Sequence, residues 1–203
     1  VDSHCHLDCI DLADFDGSFG ALIQKTIDAG VEHMLCVSID LEKYPGMLAQ
    51  VANYPQISVS VGVHPMAGKE AVVDAAHLKK LATGNKVVAI GETGLDYYYH
   101  KDDKEWQKER FRTHIQCAIE LNKPVIIHTR DAGHDTLDIL RSENIEKCGG
   151  VIHCFTETME FPEKAMELGM MISFSGITTF KNADVLRQVA RQVPDEYLLI
   201  SYS

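Results

Sequence analysis

Basic residues are in short supply in this chain of 203 residues: 19 Lys+Arg stand against 30 Asp+Glu, a net charge of −11. That balance excludes a broad cationic face for clinging to duplex DNA or anionic lipid, so any contact with nucleic acid has to be local. Long apolar runs are missing too, none approaching the roughly 18 residues of a membrane span. The opening Val1-Asp2-Ser3-His4 lacks the basic-then-apolar profile of a secretory leader. A cytoplasmic location without a membrane partner is expected. The six cysteines include no C-x-x-C pair, and several sit in apolar runs where a thiol behaves as a small hydrophobe; reduced thiols are expected. Six prolines and 14 glycines are too scattered to form a linker. With 45% hydrophobic residues and no low-complexity stretch, a single domain over residues 1–203 is expected, not a disordered chain.

What is present is alternation. Runs rich in β-branched and apolar residues, bounded by Gly, Pro or Asp, predict strands at Val1–Leu7, Val31–Ile39, Ile57–Val63, Val87–Gly91, Val125–His128, Gly150–Cys154, Met170–Ser175 and Tyr197–Ile200. Amphipathic windows between them predict helices at Phe19–Ala29, Ala75–Ala82, Trp106–Leu121, Thr136–Glu143, Phe161–Leu168 and Asp184–Val193. Parallel strands need both faces covered, and closure removes exposed edges, so the pattern predicts an α/β fold, a closed (β/α)8 TIM barrel. A doubly wound open sheet is the alternative, disfavoured because no Gly-rich dinucleotide loop follows the first strand.

The chemistry-bearing residues fall at strand ends. His4 and His6 lie two apart in the first strand, so alternation sends both imidazoles to one face while Cys5 points to the other. The runs Val87–Gly91, Val125–Ile127 and Val151–Ile152 are followed by Glu92, His128 and His153. Catalytic groups of such barrels collect at the C-terminal rim, which brings these three to His4 and His6. Buried lone pairs gathered there without a cation would go unmatched, whereas divalent ions satisfy them, and a carboxylate such as Glu92 can bridge two.

The set His4-x-His6, Gly62-Val63-His64-Pro65, Gly91-Glu92-Thr93-Gly94-Leu95-Asp96-Tyr97, His128-Thr129-Arg130, His153-Cys154-Phe155 and Ser173-Phe174-Ser175-Gly176 resembles the TatD family of metal-dependent deoxyribonucleases and hydrolases, in order and spacing, along the whole chain. The resemblance implies the metal-dependent-hydrolase type of barrel. It also implies two divalent ions (Zn, Mn, Mg, Co or Ni) held by His4, His6, Glu92, His128 and His153, with His64 near the substrate. The activity it implies is phosphodiester hydrolysis, as a deoxyribonuclease at DNA 3′ ends. The same centre could serve an ester or amide hydrolase, such as an aminoacyl-tRNA deacylase. Members of the family follow the eighth strand with Glu-Thr-Asp-Ser-Pro, whose Asp is a further ligand, while here the chain reads Leu198-Leu199-Ile200-Ser201-Tyr202-Ser203. Against that pattern the barrel is expected to be C-terminally truncated and to lack its last helices. The third reading is therefore a catalytically impaired metal-binding barrel, and the uncovered seam is expected to invite association, with the oligomeric state open.

Four further side chains are candidates for catalysis or substrate contact. His64 before Pro65 is either a donor at the mouth or a turn residue. Arg130 either clamps a phosphate bidentately or pairs with Asp131 or Asp96. Lys181 touches a phosphate or merely solvates its loop. Tyr97, with Tyr98 and Tyr99, stacks a nucleobase or packs under a loop. His33, His77, His100, His114 and His134 are read as structural or solvated, and Asp102 or Asp103 as the cap of the helix that follows.

Overall fold

The computed structural model describes residues 1–98, 103–153, 155 and 159–201. Tyr99, His100, Asp102, Cys154, Tyr202 and Ser203, which figure in the expectations above, lie outside the described residues. The strands are β1 (Asp2–Cys5), β2 (Met34–Cys36), β3 (Ile57–Val61), β4 (Val87–Asp96), β5 (Val125–Arg130), β6 (Gly150–Ile152), β7 (Met170–Phe174) and β8 (Leu198–Ile200). The α-helices are α1 (Phe19–Asp28), α2 (Tyr44–Val51), α3 (Ala75–Ala82), α4 (Glu105–Leu121), α5 (Gly133–Ser142), α6 (Glu160–Glu167) and α7 (Asp184–Ala190).

The eight strands form one sheet in chain order, every neighbouring pair parallel. An open doubly wound sheet reverses its order at a switch point; this one never does. β8 returns beside β1, where the Ser3 hydroxyl donates to the Ile200 carbonyl at 3.0 Å. Among the described residues no ladder joins these two strands, so the (β/α)8 barrel is nearly closed, and the Ile200 side chain is 59% exposed at the seam.

Alternation along the strands divides the apolar residues into two layers. The larger lies between strands and helices and includes Cys5, Met34, Cys36, Val59, Ile127, Phe111 and Ile115. The smaller consists of Val37, Ala89 and Ile126, with Leu35 and Val151 packed against it. Ile126 and Val151 share a strand face with His128 and His153 two residues on, so this inner layer is an apolar floor under the imidazoles. The described cysteines are free, and burial pushes the Cys36, Cys117 and Cys148 thiols up to about 11, which keeps them protonated and unreactive. No helix among the described residues is long and apolar enough to cross a membrane.

The structure departs from expectation in four places. β4 does not stop at Gly91 but runs to Asp96, because a bulge absorbs the glycine: its pairing with β5 shifts register between Ile90 and Thr93, and Gly91 takes a φ of 132°. Glu92 is thus inside a strand, not beyond its end. β1 is shorter than Val1–Leu7, and His6 stands just past it, at the start of a short 3-10 turn. α2 is not among the expected helices; its Pro45 occupies the first turn, where the missing N–H costs nothing. The residue flanking α4 is Lys104, without a side-chain cap bond, while Asp103 pairs with Lys69 at 2.6 Å.

Candidate metal centre

Glu92 stands at the middle of the site, its side chain 4% exposed, with imidazoles around both oxygens. Oε2 lies 3.3 Å from His4 Nε2 and 3.8 Å from His6 Nε2. Oε1 lies 3.5 Å from His64 Nε2 and 3.5 Å from His128 Nδ1. Two triads result, His4–His6–Glu92 and His64–Glu92–His128, each with ligand-type atoms within 4.8 Å of one another. β1 supplies His4, its exit His6, the exit of β3 His64, the bulge of β4 Glu92 and β5 His128. His4 and Glu92 form the buried bottom, while the His6, His128 and His64 side chains, 29%, 20% and 15% exposed, form the rim.

For His6, His128 and His64, hydrogen bonds to the far side of the ring settle which nitrogen faces inward. His6 Nδ1 sits 3.0 Å from the Val37 carbonyl and must carry the proton, which leaves the Nε2 lone pair for a cation. His128 Nε2 sits 3.0 Å from Asp96 Oδ2, so Nδ1 is its inward atom. His64 is the opposite case. Its Nδ1 accepts from the Met66 N–H at 3.1 Å, so the neutral ring carries its proton on Nε2 and presents a donor toward Glu92.

His153 joins differently. Its ring lies flat on His4, centroids 3.3 Å apart and planes 8° from parallel, and it belongs to neither triad. Burial, with the neighbouring His4, pushes its pKa down to about 3, so it is neutral. Burial alone would raise the Glu92 pKa, but bonds from His128, His4 and His64 outweigh it and hold the carboxyl well below the usual range. Burial would lower His128; bonds to Asp96 and Glu92 win and raise it to about 9.

The donor set fits a divalent cation. Glu92 and Asp96 are buried carboxylates, 3% and 0% exposed, and their charge needs a positive partner inside a dry barrel mouth. His4 Nε2 and His6 Nε2 face each other at 3.3 Å, yet with His6 holding its proton on Nδ1 only one member of that pair can donate. An ion shared with Glu92 Oε2 satisfies all three atoms.

The family model for TatD related DNase matches residues 1–201. The chain belongs to the TatD family. It is 48% identical over 200 residues to the metal-dependent hydrolase YcfH of Escherichia coli (strain K12), covering 98% of this chain and 75% of that protein. It is 37% identical over 200 residues to the metal-dependent hydrolase YabD of Bacillus subtilis (strain 168), covering 98% and 77%. Among solved structures it is similar to YjjV, a TatD homolog from E. coli K12, with a TM-score of 0.89 at 27% identity over 99% of this chain and 77% of that one. This TatD chain is accordingly a metal-dependent hydrolase, with a His/Glu cluster able to hold metal at the mouth of its barrel.

The remaining candidates are placed as follows in this TatD barrel. Arg130 ends β5 with its guanidinium 3.9 Å above the ring of Tyr98, which is 47% exposed. Tyr97 does not offer a stacking face: it is 7% exposed, Lys104 lies 4.1 Å over its ring and its hydroxyl donates to Asp135 at 2.6 Å. The packing alternative therefore holds for Tyr97, whose ring is buried in the turn after β4 and whose hydroxyl is tied to Asp135. Lys181 is exposed in the loop before α7. Sequence reasoning gave Asp96 no role at the site beyond a pairing with Arg130, although it ends the strand that carries Glu92.

His114, read as structural or solvated, is structural. It is fully buried, Nε2 accepting from the Val63 N–H at 3.1 Å and Nδ1 donating to the Arg110 carbonyl at 2.8 Å. Burial pushes its pKa down from 6.5 to about 4. The unfolded chain then binds a proton that the folded chain refuses, so stability is intact above pH 6.5 and falls as the pH drops toward 4. This one group accounts for a loss of about 3 kcal/mol across that window. Urea unfolding at pH 7 and at pH 4.5 checks it: His114→Gln is expected to flatten the dependence, and an unchanged slope counts against the assignment.

Proposed function

We propose that this chain is a phosphodiesterase that removes nucleotides from DNA 3′ ends with two divalent cations. The observation that carries the reading is the carboxylate of Glu92 between two pairs of imidazoles, one pair at each oxygen. His4, His6 and Glu92 Oε2 would hold one ion; Glu92 Oε1 and His128 Nδ1 would hold the other, while His153 is stacked on His4. When bound, such ions supply an acidified water and positive charge beside the oxygen that departs. Mixed imidazole and carboxylate donors suit Zn, Mn, Co or Ni, with Mg the looser occupant.

The chain's own groups then divide the work. His64 holds its proton at Nε2, 3.5 Å from Glu92 Oε1, and an incoming phosphate oxygen would take that donor over from Glu92. Arg130 brings a fixed positive charge to the same rim, and the exposed Tyr98 ring beneath its guanidinium gives a base a face to rest on. Lys181, exposed in the loop before α7, would add at most a long-range attraction. A chain of net charge −11 does not hold a long duplex, so a strand end that enters the mouth alone is the better match.

The test compares hydrolysis of a single-stranded oligonucleotide labelled at either end with that of an aminoacyl ester, before and after chelation. Release of 3′-terminal nucleotides, lost on chelation and restored by Mn or Co, is expected. Turnover of the ester with no nucleotide release would replace this reading by the ester-hydrolase one, and no cation-dependent turnover at all would favour an impaired metal-binding barrel.

A further inference from the structure

Helix α4 carries three polar side chains at intervals of three and four residues, Gln107, Arg110 and His114. Gln107 and His114 are 0% exposed and Arg110 7%. All three grip backbone. Gln107 brackets the last residue of β4, its Oε1 accepting from the Asp96 N–H at 2.8 Å and its Nε2 donating to the Asp96 carbonyl at 3.0 Å. The Asp96 carboxylate in turn accepts from the Tyr98 N–H at 3.0 Å and stands 3.0 Å from His128 Nε2. Arg110 treats the exit of β3 in the same manner. Its guanidinium, 4.7 Å from the Trp106 ring centre, donates to the carbonyls of Ala67 at 2.9 Å, Gly68 at 2.6 Å and His64 at 3.4 Å. His114 completes the row by holding the N–H of Val63. The other side of the centre is held by different means: His4 by β1, and His6 by the Val37 carbonyl.

The geometry points to α4 as the positioning element of one half of the centre, an inference that rests on the two-cation reading above. Gln107 orients His128 through Asp96 and thereby sets the affinity for the second cation. Arg110 fixes the turn that carries His64 and thereby sets the contact with substrate. Neither touches an ion or a reacting atom. Partners behind a ligating imidazole commonly control metal affinity by 10–100-fold, and Gln107 acts one bond further back, on the backbone that aims such a partner.

The full chain, stripped by chelation, is titrated with Co(II) and followed by visible absorption and calorimetry, and its hydrolysis of bis(p-nitrophenyl) phosphate is measured at saturating Co(II). In Gln107→Met the first equivalent is expected to bind as in the unsubstituted chain and the second about tenfold more weakly. Gln107→Asn, which keeps the amide but withdraws it by one methylene, is the milder version should the first not fold. Arg110→Lys is expected to leave both binding steps alone while raising KM about tenfold with little change in kcat. Leu140→Ala on α5, a buried apolar position, is the control for general loosening: Tm falls, but neither binding step moves. Folded Gln107 variants that bind the second ion normally would overturn the inference, as would Leu140→Ala weakening it equally. A single ion bound by the unsubstituted chain would instead bring down the two-cation reading, and this inference with it.

Discussion

Glu92→Gln is expected to lower cation-dependent phosphodiester hydrolysis by at least about 10²-fold, since even partners behind a metal ligand control metal affinity by 10–100-fold and Glu92 is itself between the two triads. The substitution keeps size and shape. It removes the charge that four imidazoles face at 3.3 to 3.8 Å and turns one acceptor oxygen into an NH2 donor aimed at a pair of ring nitrogens. Both triads lose their anionic member, and whichever way the amide is flipped one of them also faces a donor. Elemental analysis of protein purified without chelator is expected to find at most one ion per chain in the variant. A variant that retained its metal and a rate within threefold of the unsubstituted chain would show that Glu92 is structural and the cluster is not a metal centre.

Gly94→Ala is expected to destabilise the fold by about 3 kcal/mol or more, combining overpacking with backbone strain. Gly94 pairs with His128 across the β4–β5 ladder and takes a φ of 137°, a region that side chains rarely adopt. A Cβ there would overlap the carbonyl oxygen of His128 and press β4 away from β5. Because that ladder carries Glu92 and His128 together, the damage is expected in the site as well as in the core. Thermal unfolding should show Tm lower by about 10 °C for a chain of this size. Gly46→Ala is the companion measurement: nothing lies within 4 Å of the added carbon and the position is helical, so it should be neutral or stabilising. Equal Tm values for the two variants would contradict the account.

The barrel was legible because its two signals are local. Strand runs of five or six apolar residues and amphipathic windows between them need no knowledge of what they touch, and chain-order pairing follows from short right-handed crossovers. The errors are instructive for the same reason. β4 was cut at Gly91 because a glycine after an apolar run reads as a stop, whereas a bulge uses it to continue. α2 is absent from the expected helices, and its proline is tolerated because it falls in the first turn.

The site divides along the same line. That His4, His6, Glu92, His128 and His153 would meet could be read from their position at strand ends, since barrel topology delivers every such end to one rim. Which nitrogen the His6, His128 and His64 rings turn inward could not, because it depends on acceptors 31 and 32 residues away in the chain or on a single backbone N–H, as with Val37, Asp96 and Met66. Gln107, Arg110 and His114 left a trace, polar residues interleaved with Phe111, Ile115 and Ala118 along the inward stripe of α4. Their partners, however, are main-chain atoms of Asp96, Val63, His64, Ala67 and Gly68, and a main-chain atom has no signature in the residue it belongs to. Periodicity and residue chemistry thus specified the eightfold architecture and the meeting of His4, His6, Glu92 and His128, while the triads take in His64 and leave His153 stacked on His4. The polarity of the centre, with lone pairs on one side, a donor on the other and a helix bracing one half, arose from folding, because hydrogen bonds between distant segments exist only once those segments are brought together.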